Sequence, residues 1–173
     1  SFKRSPQSVN IRIAISDGQP YMCRTRASDE VQMIETKGNM NAVSYRFTRV
    51  TPRTTLFGMA LESDNGVILD NFSMRGSSGA QLGRIPSSTL SDFARLRPYD
   101  LIVVHYGLNE AVKGNTLPLL KVYIKRMKRS IENLRAAYPS AGILVVSVPD
   151  RDQRSAEGIT TLKEVKELVA LQA

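Results

Sequence analysis

The chain has 173 residues, 42% hydrophobic and 23% charged, with a net charge of +8 at pH 7. That is ordinary for a globular protein of one domain or a domain and a half, and it excludes a wholly disordered chain. One cysteine and one histidine exclude an internal disulfide and any multi-cysteine metal site, and no apolar run approaches the ~20 residues that cross a bilayer.

Residues 1–66 alternate apolar and polar side chains: Val9, Ile11, Ile13 and Ile15, then Val31 and Met33, then Val43, Tyr45 and Phe47. Turn residues punctuate the run at Asp17-Gly18, Gly38-Asn39 and Asn65-Gly66. A period of two between turn signals predicts short antiparallel strands. Cys23, within Tyr21-Met22-Cys23-Arg24, reads as a small buried hydrophobe in a strand. Residues 56–62 read as one more strand leading toward the second half. No long amphipathic helix is expected here.

Residues 67–173 change pattern. Strands are expected near 67–72, 101–106 and 143–148, and helices near 88–97, 117–138 and 160–172. Thr161 to Glu164 has the form of a capping box for the last helix. Strands alternating with helices, too far apart for hairpins, predict a parallel sheet with helices on both faces, an α/β unit. Leu120, Ile124, Met127, Ile131, Leu134 and Tyr138 recur at spacings of four and three, which marks one buried helical face. Residues 1–70 hold nine Lys/Arg and seven Asp/Glu, a net of +2, and residues 71–173 hold fifteen and nine, a net of +6. The excess sits at Lys121, Lys125, Arg126, Lys128, Arg129 and Arg135, read as the solvated face of that helix rather than a nucleic-acid site.

Two stretches carry chemistry. Leu101-Ile102-Val103-Val104-His105 runs into Tyr106-Gly107-Leu108-Asn109, and ligands of open α/β sheets sit beyond the carboxyl ends of strands. Gly107 permits a sharp turn, and a side-chain amide at Asn109 can donate to a developing oxyanion. Asn109 also suits a plain turn cap. Upstream, Gly66-Val67-Ile68-Leu69 leads into Asp70-Asn71-Phe72-Ser73-Met74-Arg75-Gly76-Ser77-Ser78-Gly79 and then a helix candidate. Gly76 can offer its backbone N–H to an anion, with Asn71 bracing the loop. Ser77 and Ser78 read as loop donors or capping hydroxyls. His105 reads as a buried, hydrogen-bonded structural residue rather than a base. Asp150, Asp152 and Glu110 suit either the functional rim or loop capping.

Asn71-x-x-x-x-Gly76, followed by Gly107-x-Asn109, resembles the second and third sequence blocks of the SGNH hydrolases, also called GDSL-type esterases. The resemblance spans roughly residues 67 to 150. It implies a three-layer α/β fold with a parallel sheet. It also implies that Gly76 and Asn109 complete an oxyanion hole around a serine nucleophile, with Asn71 and Gly107 in support. The family's Gly-Asp-Ser and Asp-x-x-His blocks do not occur in this sequence, so nucleophile and base are expected outside it. Some members, the peptidoglycan O-acetylesterases among them, carry a β-sandwich module before the glycine block. Residues 1–66 look like all or part of such an insert.

The expected function is therefore serine-dependent removal of acyl groups, foremost acetyl, from carbohydrate. The resemblance implies an extracytoplasmic (periplasmic or secreted) setting and no metal or organic cofactor. With neither nucleophile nor base, the 173 residues alone are expected to be inactive. A non-catalytic glycan-binding module on an α/β scaffold is the rival reading. A nucleotide or phosphate module lacks any Gly-x-Gly-x-x-Gly or Walker pattern.

Overall fold

A computed structural model describes residues 2–16, 18–39, 41–149 and 162–172. The chain divides into two compact units, Ser1–Ile68 and Leu69–Ala173.

The first unit is built of strands: β1 (Phe2–Ser5), β2 (Asn10–Ile15), β3 (Tyr21–Arg24), β4 (Ser28–Met33), β5 (Val43–Thr48) and β6 (Thr55–Gly58). They form two antiparallel sheets, ordered β4-β1-β6 and β3-β2-β5. The alternation in β2 has a direct physical result. Val9, Ile11 and Ile13 are buried, and Cys23, Val43, Tyr45 and Phe47 pack against them. Register explains the set: Ile11 lies opposite Cys23 and Phe47, and Ile13 opposite Tyr45. Cys23 is only half-buried. The strand expected over 56–62 is shorter, ending at Gly58. β1 falls outside the sequence expectation, since four residues are too few to show a period. The fully buried Ser5 there satisfies its hydroxyl on Thr54 Oγ1 at 2.8 Å.

The second unit contains a short 3-10 turn (Ala80–Arg84), α1 (Ser87–Leu96), β7 (Leu101–His105), α2 (Leu117–Ala137), β8 (Gly142–Val146) and α3 (Leu162–Gln172). β7 and β8 pair in parallel, from Leu101 opposite Gly142 to His105 opposite Val146. The long α2 makes the crossover that a parallel pair requires. Pro118 sits in its first turn, where a missing N–H costs nothing, and Pro139 follows its end. Its buried side includes Leu120, Met127 and Tyr138, with Ile124, Ile131 and Leu134 partly buried. Lys121, Lys125, Arg126, Lys128, Arg129 and Arg135 are all exposed, as a solvated face requires. Tyr123 and Ser130 widen the buried side beyond the expected set. Ser130 allows close approach of the 3-10 turn, where a Cβ on Gly83 would lie 3.1 Å from Ser130 Oγ.

Three expectations are corrected. Residues 67–72 are not a strand; Val67 and Leu69 are 99% and 89% exposed. Apolar, β-branched content makes a segment strand-like, but only a hydrogen-bonded ladder makes a strand. Among the described residues none pairs with this one. Nor, among the described residues, do helices cover both faces of the parallel pair. Ile102, Val104 and Ile143 join the core with α2 and α3, while Leu101, Val103 and Leu144 on the other face are 55%, 53% and 50% exposed. His105 shares the parity of Leu101 and Val103 and is exposed, not buried and hydrogen-bonded. The proposed capping residue Thr161 lies outside the described residues.

The core assignment sets up a contrast between neighbours. Leu120 is fully buried and Leu119 is 55% exposed. Leu120→Ala should lose about 2–5 kcal/mol in urea unfolding. Leu119→Ala should stay within about 0.5 kcal/mol.

Candidate active site

The chain leaves β7 through Tyr106 and turns at Gly107, whose φ is +119°. A Cβ there would stand 2.6 Å from Val148 Cγ2 and 3.1 Å from Leu168 Cδ2, so only glycine fits. The turn closes with the N–H groups of Glu110 and Ala111 both donating to the Gly107 carbonyl, at 2.8 and 3.1 Å. Asn109 is thereby presented at the tip, with its side chain exposed.

The glycine loop approaches from the other side. Asn71 Oδ1 accepts the Ser73 N–H at 2.8 Å, an Asx turn that shapes the loop entry rather than Gly76 itself. The Ser77 N–H donates to the Met74 carbonyl at 3.0 Å, closing a turn around Arg75 and Gly76. Gly76 has φ +79°, and a Cβ there would meet nothing within 4 Å. Among the described residues no acceptor takes its N–H.

Three side chains from the β7–α2 segment hold the next three residues of the loop. Asn109 Nδ2 donates to the Ser77 carbonyl at 2.8 Å. The Tyr123 hydroxyl donates to the Ser78 carbonyl at 2.9 Å. The Tyr106 ring lies against Gly79, where a Cβ would come within 2.5 Å of Cγ. The two sequence stretches singled out for chemistry are thus in direct contact. Asn109 Nδ2 has two hydrogens; the Ser77 carbonyl occupies one. Burial, with the Glu110 carboxylate and Tyr106 adding to it, pushes the Tyr123 hydroxyl up, so it stays a neutral donor.

The serines cap the loop. Ser77 Oγ accepts the Gly79 N–H at 3.2 Å and donates to Gln81 Oε1 at 3.2 Å. Ser78 Oγ donates to the same oxygen at 3.5 Å. Glu110 is half-buried, and its backbone carbonyl accepts from Asn115 Nδ2 at 2.6 Å. Asp150 and Asp152 lie outside the described residues. No group of three His, Cys, Asp or Glu suited to a metal occurs among the described residues.

Two supports had no sequence signal. Gln172 of α3 spans the ends of both parallel strands: its Nε2 donates to the Tyr106 carbonyl at 3.2 Å, and its Oε1 accepts the Val148 N–H at 3.0 Å. At the loop entry, Asp70 accepts from Arg97 Nε at 2.5 Å, Arg97 Nη2 at 3.1 Å and the Tyr99 hydroxyl at 2.6 Å. These partners are 27 and 29 residues away, so no local pattern announces them. Tyr123 was findable, since it falls three residues after Leu120 on the same helical side.

Hydrogen bonding to Arg97 holds the Asp70 carboxyl below its ordinary value; burial opposes this, and the Tyr99 hydroxyl reinforces it. A lowered carboxyl stabilises the fold above the ordinary value of 3.8, and the contribution disappears as pH falls through the lower folded value. Asp70→Asn should therefore cost on the order of 1–2 kcal/mol at pH 7. Denaturant midpoints of the two proteins should converge below the ordinary carboxyl range. No protein-family model matches the chain, and no curated protein matches it.

Proposed function

We propose that the α/β unit belongs to a serine ester hydrolase of the SGNH type, removing acyl groups, foremost acetyl, from carbohydrate. The observation that carries this reading is the 2.8 Å bond from Asn109 Nδ2 to the Ser77 carbonyl. It joins the two stretches that resemble the family's second and third blocks. It also leaves a side-chain amide hydrogen and the unused Gly76 N–H on adjoining loops.

In the proposed mechanism a serine from outside this sequence attacks the ester carbonyl. A histidine, likewise outside it, takes the serine proton and later gives it to the leaving alcohol. The carbonyl oxygen gains negative charge in the tetrahedral intermediate. The Gly76 N–H, the Asn109 amide and the serine's own N–H would hold that charge. Such donors act best when fixed before reaction, and removing one costs about 2.7–4 kcal/mol of barrier. Gly107, Tyr106 and Tyr123 supply that fixity here.

The same reading takes the parallel pair as part of a three-layer fold. The open face of β7–β8 is where a second helical layer would pack, since parallel sheets are normally covered on both sides. The β-rich unit would be the sandwich-like insert. An extracytoplasmic setting follows from the resemblance alone. The rival reading, a non-catalytic module, has one observation in its support: the hydroxyls of both loop serines are engaged with Gln81.

The test uses a form of the protein that carries the serine and histidine blocks. Asn109→Ala should lower kcat by about 10²–10³ with little change in KM. Tyr123→Phe removes the neighbouring loop bond but no oxyanion donor, so its effect on kcat should be smaller by at least about tenfold. Equal losses in the two variants would reduce Asn109 to a loop brace. The 173-residue chain alone should not hydrolyse aryl acetates.

A further inference from the structure

The outer face of the β3-β2-β5 sheet carries an arrangement that the fold does not need. Its inner face is apolar, with Ile11, Ile13, Tyr45 and Phe47 in the core. On the outer face, register places Arg12 of β2 directly opposite Arg46 of β5, with Met22 of β3 on its other side. The adjoining row is Arg24, Asn10 and Thr48. Arg12, Arg24 and Arg46 are all exposed.

Directly opposed residues on one sheet face have Cβ atoms about 4.5–5.5 Å apart, and like charges there are destabilising. Among the described residues no carboxylate pairs with Arg12, Arg24 or Arg46. Arg24 is instead oriented by a neutral acceptor, its Nε and Nη2 donating to Ser8 Oγ at 3.2 and 3.1 Å. The sheet thus concentrates three guanidinium groups with no carboxylate partner among the described residues.

We propose that this face binds an acidic polysaccharide through its carboxylates. Guanidinium forks take carboxylates in paired hydrogen bonds. Asn10 lies beside Arg24 and can meet sugar hydroxyls; Thr48 ends the same row, its hydroxyl donating to the Asn10 carbonyl at 3.3 Å. The face is open and crosses three strands, which suits an extended chain rather than a small ligand. Its outer rows contain no aromatic ring, so the stacking platform that single-stranded nucleic acid uses is missing. The proposal concerns binding by the β-rich unit and stands or falls independently of ester hydrolysis.

The experiment is affinity electrophoresis of the 173-residue chain through gels containing polygalacturonate, a neutral glucan or inorganic polyphosphate, at low and at physiological ionic strength. The expected result is retardation by polygalacturonate alone, weakening with salt. Arg12→Gln/Arg46→Gln should weaken retention about tenfold or more. Lys125→Gln/Lys128→Gln removes the same charge from α2 and should leave retention unchanged. Circular dichroism checks the fold of each variant, and Arg24→Gln, which leaves the opposed pair intact, serves if the double variant does not fold. Equal loss in the α2 variant, stronger retention by polyphosphate, or no retention by polygalacturonate would overturn the proposal.

Discussion

The α/β unit turns on the absence of one side chain. At Gly107 the backbone has φ +119°, and even a methyl group would stand 2.6 Å from Val148 Cγ2. Because the position holds only hydrogen, β7 can end against Val148 and enter the turn that closes at Glu110 and Ala111. That turn sends Asn109 to the Ser77 carbonyl and starts the path to α2, whose Tyr123 reaches Ser78. The Tyr106 carbonyl next to the turn is also where Gln172 attaches α3. Helix, loop and strand ends therefore share one pivot, and the geometry of the candidate site follows from it.

Much of this was legible because it depends on local period. The two-residue alternation of Val9, Ile11 and Ile13 and the four-and-three spacing along α2 each describe a face, and a face needs only its own element to be seen. Gly107 and Asn109 were legible for a related reason: a glycine after an apolar run marks a turn at a strand end. What failed was whatever depended on a distant partner. Residues 67–72 have strand-like side chains, yet a ladder needs a second chain segment alongside. His105 was expected to be buried because a central parallel strand normally is, but burial requires a covering layer on that face. Gln172 and the Asp70–Arg97–Tyr99 cluster work through contacts across many residues.

Charge is distributed by a different logic in the two units. On α2 the cations lie at helical spacing on the side away from the core, the ordinary way to keep a long amphipathic helix solvated. On the β-rich unit the opposed Arg12 and Arg46 run against the pairing preferences of a sheet. The first arrangement has a sufficient explanation in folding; the second does not. That difference separates a surface from a candidate site more sharply than net charge does.

The tyrosines give the α/β unit an optical property of its own. The chain has six tyrosines and no tryptophan. Tyr99, beside Asp70, and Tyr123, beneath the glycine loop, have hydroxyls raised above the ordinary value of 10.0, burial being the larger cause for each. Folding therefore favours their neutral form, an advantage complete below that value and lost at higher pH as the unfolded chain ionises first. Their phenolate absorbance emerges only as the packing around them is lost. The groups that brace the candidate site thus double as its spectroscopic label, with no dye or added residue.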